Sequence, residues 1–117
     1  MTLPPKLKRA KSGITKAPKR EWPRHRSFVR KHACSVPGCM QGPIEFAHVR
    51  SAANSGTGIK PFDWFGISLC SECHREQHNI GVETFQCRHG IDLFKLAAEF
   101  ARLSPDTKMK EAIKELS

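Results

Sequence analysis

Four cysteines fall in two short pairs, Cys34-x4-Cys39 and Cys70-x2-Cys73, with a lone histidine, His48, between them and a His74-x3-His78 pair directly after. Thiolates two to four residues apart can close on one tetrahedral Zn2+ at about 2.3 Å, and the second pair completes a four-sulfur site. Such a site is a staple. It leaves no open position for water, so catalysis has to come from elsewhere. Spaced four apart, His74 and His78 share one face of a helix, and neutral imidazoles suit Zn2+, Ni2+ or Mn2+ with positions left for water and a phosphate oxygen. Taken singly, the pair reads more readily as a solvated helix face, and His48 as a core histidine. The adjoining CxxC, which anchors the first turn of that helix, favours a metal site.

The elements that position these groups follow from the intervening residues. A short basic helix is expected over residues 24 to 32, with Phe28 and Val29 facing inward. Pro37-Gly38 is a tight-turn pair that lets Cys34 and Cys39 face one metal. Gly42-Pro43 breaks the chain, and residues 44 to 49 read as a strand with Ile44, Phe46 and His48 on one face. Residues 50 to 62 carry small polar residues, two glycines and a proline, and read as a loop of the length that is more often functional than idle. Residues 66 to 69 are the expected return strand, ending in the second cysteine pair and the helix of His74 and His78. Residues 82 to 90 read as a further short helix holding Cys87, a packing residue or free thiol rather than a ligand. Asp92 is a plausible cap for a helix whose Leu93, Leu96, Ala97, Phe100 and Leu103 form an apolar stripe. Ser104 and Pro105 are expected to start a last helix with a thin stripe of Met109, Ile113 and Leu116.

Charge divides the chain sharply. Residues 1 to 32 hold eleven Lys/Arg against Glu21 alone, a net +10, while the remainder is close to neutral at −1. The leader has too few apolar residues to offset the entropy of ordering it, so residues 1–21 are expected to be a disordered basic tail, followed by a domain at 22–103 and a C-terminal helix at 104–117. A polycation of this kind raises affinity for nucleic acid by releasing counterions, without reading sequence. It serves equally as a solubilising tail. No apolar run is long enough to span a bilayer, no secretory h-region is present, and five cysteines in such a chain argue for a reducing, cytoplasmic setting.

The order of knuckle, strand histidine, polar loop and Leu69-Cys70-Ser71-Glu72-Cys73-His74-x3-His78 resembles the HNH endonuclease family over about residues 24 to 80. More narrowly, Ala47-His48-Val49-Arg50 followed by Gly56-Thr57-Gly58-Ile59-Lys60-Pro61-x-Asp63 is similar to small HNH nucleases of phages and prophages. The resemblance implies an α+β fold: a zinc-stapled beta-beta-alpha-metal core with added C-terminal helices. It implies a DNA endonuclease in which His48 is the general base, facing His74 and His78 across a gap for an ion and a phosphodiester. That pair would hold a catalytic divalent ion (Mg2+, Mn2+, Ni2+ or Zn2+), and Cys34, Cys39, Cys70 and Cys73 would hold structural zinc. Many members place a metal ligand just before the base and an Asn on the loop. Here Ala47 holds the first place, so Glu45 or Asp63 would have to complete the metal shell. For the second, Asp63 is the best substitute to orient His48, with Asn54 next. Arg50, Lys60 and Arg75 are candidates for phosphate contacts, whereas Trp64, beside Phe62 and Phe65, is better read as core than as a base-stacking platform. The other reading is a zinc module that binds nucleic acid without cutting it; a protein-interaction zinc finger is disfavoured by the tail's charge.

Overall fold

The computed structural model describes residues 19–51 and 61–116; Asn54, Lys60 and the leader up to residue 18 lie outside them. Helix α1 spans Pro23–Arg30, with proline in the first turn, where a backbone N–H has no helical partner to lose. Strands β1 (Ile44–His48) and β2 (Gly66–Cys70) form an antiparallel pair in which Ile44 faces Cys70 and His48 faces Gly66. A 3-10 turn, Asp63–Phe65, leads into β2, and α2 (Ser71–Ile80) leaves it without a linker. Then come α3 (Val82–His89), α4 (Leu93–Leu103) and α5 (Thr107–Leu116). The described residues are therefore α+β, with five helices around one small two-stranded sheet.

β2 is buried at all five positions because α1, α2 and α4 pack against it. Val29, Ala47, Val49, Ile67, Leu69, Phe85, Leu93 and Ala97 make the main core, and Trp22, Ala101 and Met109 make a second cluster against which Trp64 and Ile113 pack. Trp64 also lies flat on Phe62, with ring centroids 4.4 Å apart. It is a packing residue, as the composition of its neighbourhood suggests.

Several boundaries differ from expectation for local reasons. α1 runs over 23–30 rather than 24–32, ending where the N–H groups of Lys31 and His32 turn back to Phe28 and Val29. Asp92 caps α4 as expected, accepting from Lys95 N at 3.0 Å. α5, however, is capped by Asp106, whose Oδ1 accepts from Met109 N at 3.1 Å, and not by Ser104. Ser104 Oγ instead accepts from Asp106 N at 3.2 Å, ahead of the helix, and meets His25 Nδ1 at 2.8 Å. Of the thin stripe on α5, Met109 is fully buried and Leu116 is exposed. Residues 19 to 21, expected as part of the tail, join the fold. Lys19 and Arg20 lie over the rings of Trp22 and Phe62, and Arg20 O accepts from Asp63 N at 3.0 Å.

Candidate metal centre and histidine site

The four cysteines converge as their spacing requires. Gly38, in the left-handed region at φ 79°, turns the Cys34–Cys39 segment, and Cys39 N closes it onto Val36 O at 3.0 Å. The register then brings the first pair beside Cys70 at the end of β2, and the first turn of α2 adds Cys73. One ligand atom from each of Cys34, Cys39, Cys70 and Cys73 lies within 4.8 Å of every other, and among the described residues no other group of three or more His, Cys, Asp or Glu closes so tightly. Cys39 Sγ is 3.9 Å from Cys70 Sγ. Sulfurs bound to one tetrahedral zinc at 2.3 Å stand about 3.8 Å apart, so the donor set fits a four-thiolate ion. Burial pushes the Cys34 and Cys73 thiols up, so binding a cation there would have to displace their protons. Cys87 is exposed and takes no part.

His48 ends β1 half-buried, and its Nε2 donates to Asp63 Oδ1 at 2.9 Å. Asp63 is fully buried at the head of the 3-10 turn. It accepts in addition from Trp22 N at 2.6 Å and from Arg26 Nε and a terminal guanidinium nitrogen at 2.7 and 2.9 Å. Burial works to raise its carboxyl, but the bonds from His48, Arg26 and the Trp22 N–H outweigh it and bring the group down to about 2. Asp63 is therefore a carboxylate whose oxygens are taken up by α1 and His48. That places it as the orienting partner of His48 rather than as a metal ligand.

The imidazole pair on α2 has a different neighbour. His74 Nε2 and His78 Nε2 are 3.2 Å apart, and His74 Nδ1 donates to Glu45 Oε1 at 2.9 Å. Two nitrogens bound to one ion at 2.0–2.1 Å with tetrahedral angles stand about 3.3 Å apart, so the pair is already at ligand separation. Hydrogen bonding to His74 holds Glu45 ionised below its ordinary range, and Glu45 in return fixes the proton of His74 on Nδ1. Partial desolvation, with His74 and Arg50 nearby, lowers His78, which is otherwise exposed.

Successive strand residues point to opposite faces. Glu45 and Ala47 accordingly face α2, while Phe46 and His48 face α1, where Arg26 lies over the Phe46 ring. The expectation that His48 faces the imidazole pair across one shared face is thus corrected. The two halves adjoin at the end of β1, where Gln77 of α2 donates to His48 O at 3.5 Å. Arg50 is exposed just beyond, and with Gln77, His78, Gly81 and Val82 it lines a recess of about 200 Å³. Arg75 is exposed on α2 and acts electrostatically on Glu45. Lys60 falls outside the described residues.

Arg26 and the backbone of Trp22 were not visible as site groups in the sequence, because Arg26 sits in a run of basic residues with nothing to single it out. The one available signal was Pro23, which starts α1 and so sets which of those residues turns inward. Comparisons with protein-family models, with curated proteins and with solved structures find no match. No helix among the described residues is long and apolar enough to cross a membrane.

Proposed function

We propose that the protein is a metal-dependent endonuclease of the HNH type that hydrolyses phosphodiester bonds in DNA. The observation that carries this reading is a carboxylate-anchored His48 at the end of β1, on the opposite strand face from two imidazoles at ligand separation on the next helix, the two halves adjoining where Gln77 meets His48 O. Asp63 occupies Nε2 of His48, so Nδ1 is the nitrogen that takes a proton from water attacking the phosphorus. His74 and His78 would hold a divalent ion, which would supply charge neutralisation at the phosphate and leaving oxygen. Glu45 keeps His74 oriented for that task. Arg50 beside His78 draws the backbone phosphate in, and the basic leader adds sequence-independent attraction. The four cysteines would hold zinc that stabilises the hairpin-helix unit and would stay outside the chemistry. The resemblance to small phage and prophage nucleases supports DNA as the substrate.

The purified full chain, incubated with supercoiled plasmid and Mg2+, Mn2+, Ni2+ or Zn2+, is expected to nick it, and His48→Ala is expected to abolish nicking while retaining zinc. Metal-independent gel retardation with no nicking in any of the four metals would instead select a non-catalytic zinc module that binds nucleic acid. That second reading draws on the four-cysteine cluster being the tightest ligand group among the described residues.

A further inference from the structure

Asp63 is enclosed by donors from two directions. Its side chain is 1% exposed, and Arg26 grips it through two nitrogens while Trp22 N and His48 Nε2 take the remaining directions. Arg26 and Trp22 belong to α1 and its lead-in, outside the β1–β2–α2 unit that carries the proposed chemistry. Among the described residues, Arg26 is therefore a cation placed directly on the carboxylate that orients His48.

We infer that Arg26 is a positioning residue for His48, acting through Asp63; the inference rests on the reading of His48 as the proton acceptor. Two physical effects follow from the contacts. The planar guanidinium fork fixes the plane of the carboxylate, so Oδ1 stays aimed at Nε2 and the basic lone pair of His48 stays on Nδ1. The guanidinium also offsets the carboxylate's charge. A buried carboxylate left uncompensated would hold the imidazole in its protonated form, in which it accepts nothing. Other ionisable groups face this region as well: His25 on α1, Arg50 just past β1, and Glu45, His74 and His78 on the α2 side. None of these bonds to Asp63, and Gln77 contributes only a neutral amide to the backbone of His48.

The test follows the ring of His48 by NMR in the full-length zinc-loaded protein labelled with 15N-histidine. Zinc content and near-UV circular dichroism serve as the check on fold. Arg26→Gln is expected to raise the pH at which His48 takes up its proton by about 1 unit, and Arg26→Lys by less, because lysine keeps the charge and loses the fork. Asp63→Asn is expected to move the same midpoint in the opposite direction. In nicking assays Arg26→Gln should shift the acidic limb of kcat upward by the same amount with KM little changed, which a merely structural residue would not do. A His48 midpoint that stays put in both Arg26 variants while Asp63→Asn shifts it would overturn the inference. Should Arg26→Gln fail to fold, Arg26→Lys decides alone: an unchanged midpoint overturns the inference, and an upward shift supports it. Shifted midpoints in a protein that nicks nothing would uphold Arg26 and reject the endonuclease reading, so the two fail separately.

Discussion

Glu45 reaches from β1 to α2 and meets His74 with Oε1 2.9 Å from Nδ1. The contact joins two residues 29 positions apart and leaves the other nitrogen of His74 turned toward His78. A carboxylate in that position fixes tautomer and ring direction, and loss of such a partner weakens metal binding by about 10- to 100-fold. Glu45→Gln should therefore bind Mn2+ or Ni2+ at the imidazole pair more weakly by roughly that factor, with the four-cysteine zinc retained. Isothermal titration of the zinc-loaded protein measures it, and equal affinities in parent and variant would remove Glu45 from the site.

Zinc at the cysteines should be inseparable from folding. So small a two-stranded sheet gains little from its own hydrogen bonds, and the fit of the four sulfurs suggests a contribution on the order of 10 kcal/mol shared between metal binding and folding. Cys70→Ser, or a strong chelator at neutral pH, should collapse the near-UV signal and the thermal transition together. Cys87→Ser should keep one zinc per chain by elemental analysis, since Cys87 is exposed and outside the cluster.

Gly66 is required by a close approach rather than by its dihedral angles. A methyl group there would stand 2.0 Å from the tip of the Phe46 ring, which lies over Gly66 and meets the His48 ring edge-on at 5.1 Å. Gly66→Ala has to expel that ring, at a cost of about 1–3 kcal/mol by denaturant unfolding. Because Phe46 supports one side of His48, the same substitution should lower nicking more than it lowers zinc content. Gly42→Ala, with open space at its Cβ position, is the control that should change neither.

His25 makes stability depend on pH. It is fully buried, its Nδ1 meets Ser104 Oγ, and its Nε2 has no hydrogen-bond partner among the described residues. Burial lowers its pKa from 6.5, only partly opposed by Asp63 and Asp106. A histidine lowered in the folded state is neutral there while the unfolded chain still binds a proton, so stability is full above about 6.5 and falls as pH drops below it. Urea midpoints measured from pH 7.5 to 5.5 should decline in the parent and flatten in His25→Asn. Identical slopes would refute the assignment of the effect to His25.

The legible part of this protein was the part written in short spacings. The two cysteine pairs, the Pro37-Gly38 turn within the first of them, the i, i+4 imidazoles and the Asp92 cap each depend on residues a few positions apart, and backbone geometry alone relates them. Asp63 as partner of His48 was also within reach through the family resemblance, and it is the first carboxylate after His48, 15 residues on. The cap of α5 was misplaced for the opposite reason. Ser104 has the right type for a cap, but its hydroxyl accepts from Asp106 N and meets His25, 79 residues away, and Asp106 caps the helix itself.

Sequence alone determined which side chains could bind a metal or move a proton, because donor chemistry and helical or turn spacing are properties of the local chain. Only the tertiary structure decided that Arg26 and Trp22 close around Asp63, that Glu45 holds His74, and that His48 lies on the α1 face of its strand. Those relations depend on how α1 and α2 pack on opposite faces of one hairpin. That packing is set by burial of Val29, Ala47, Val49 and Leu69 together, and no spacing between any two of them encodes it.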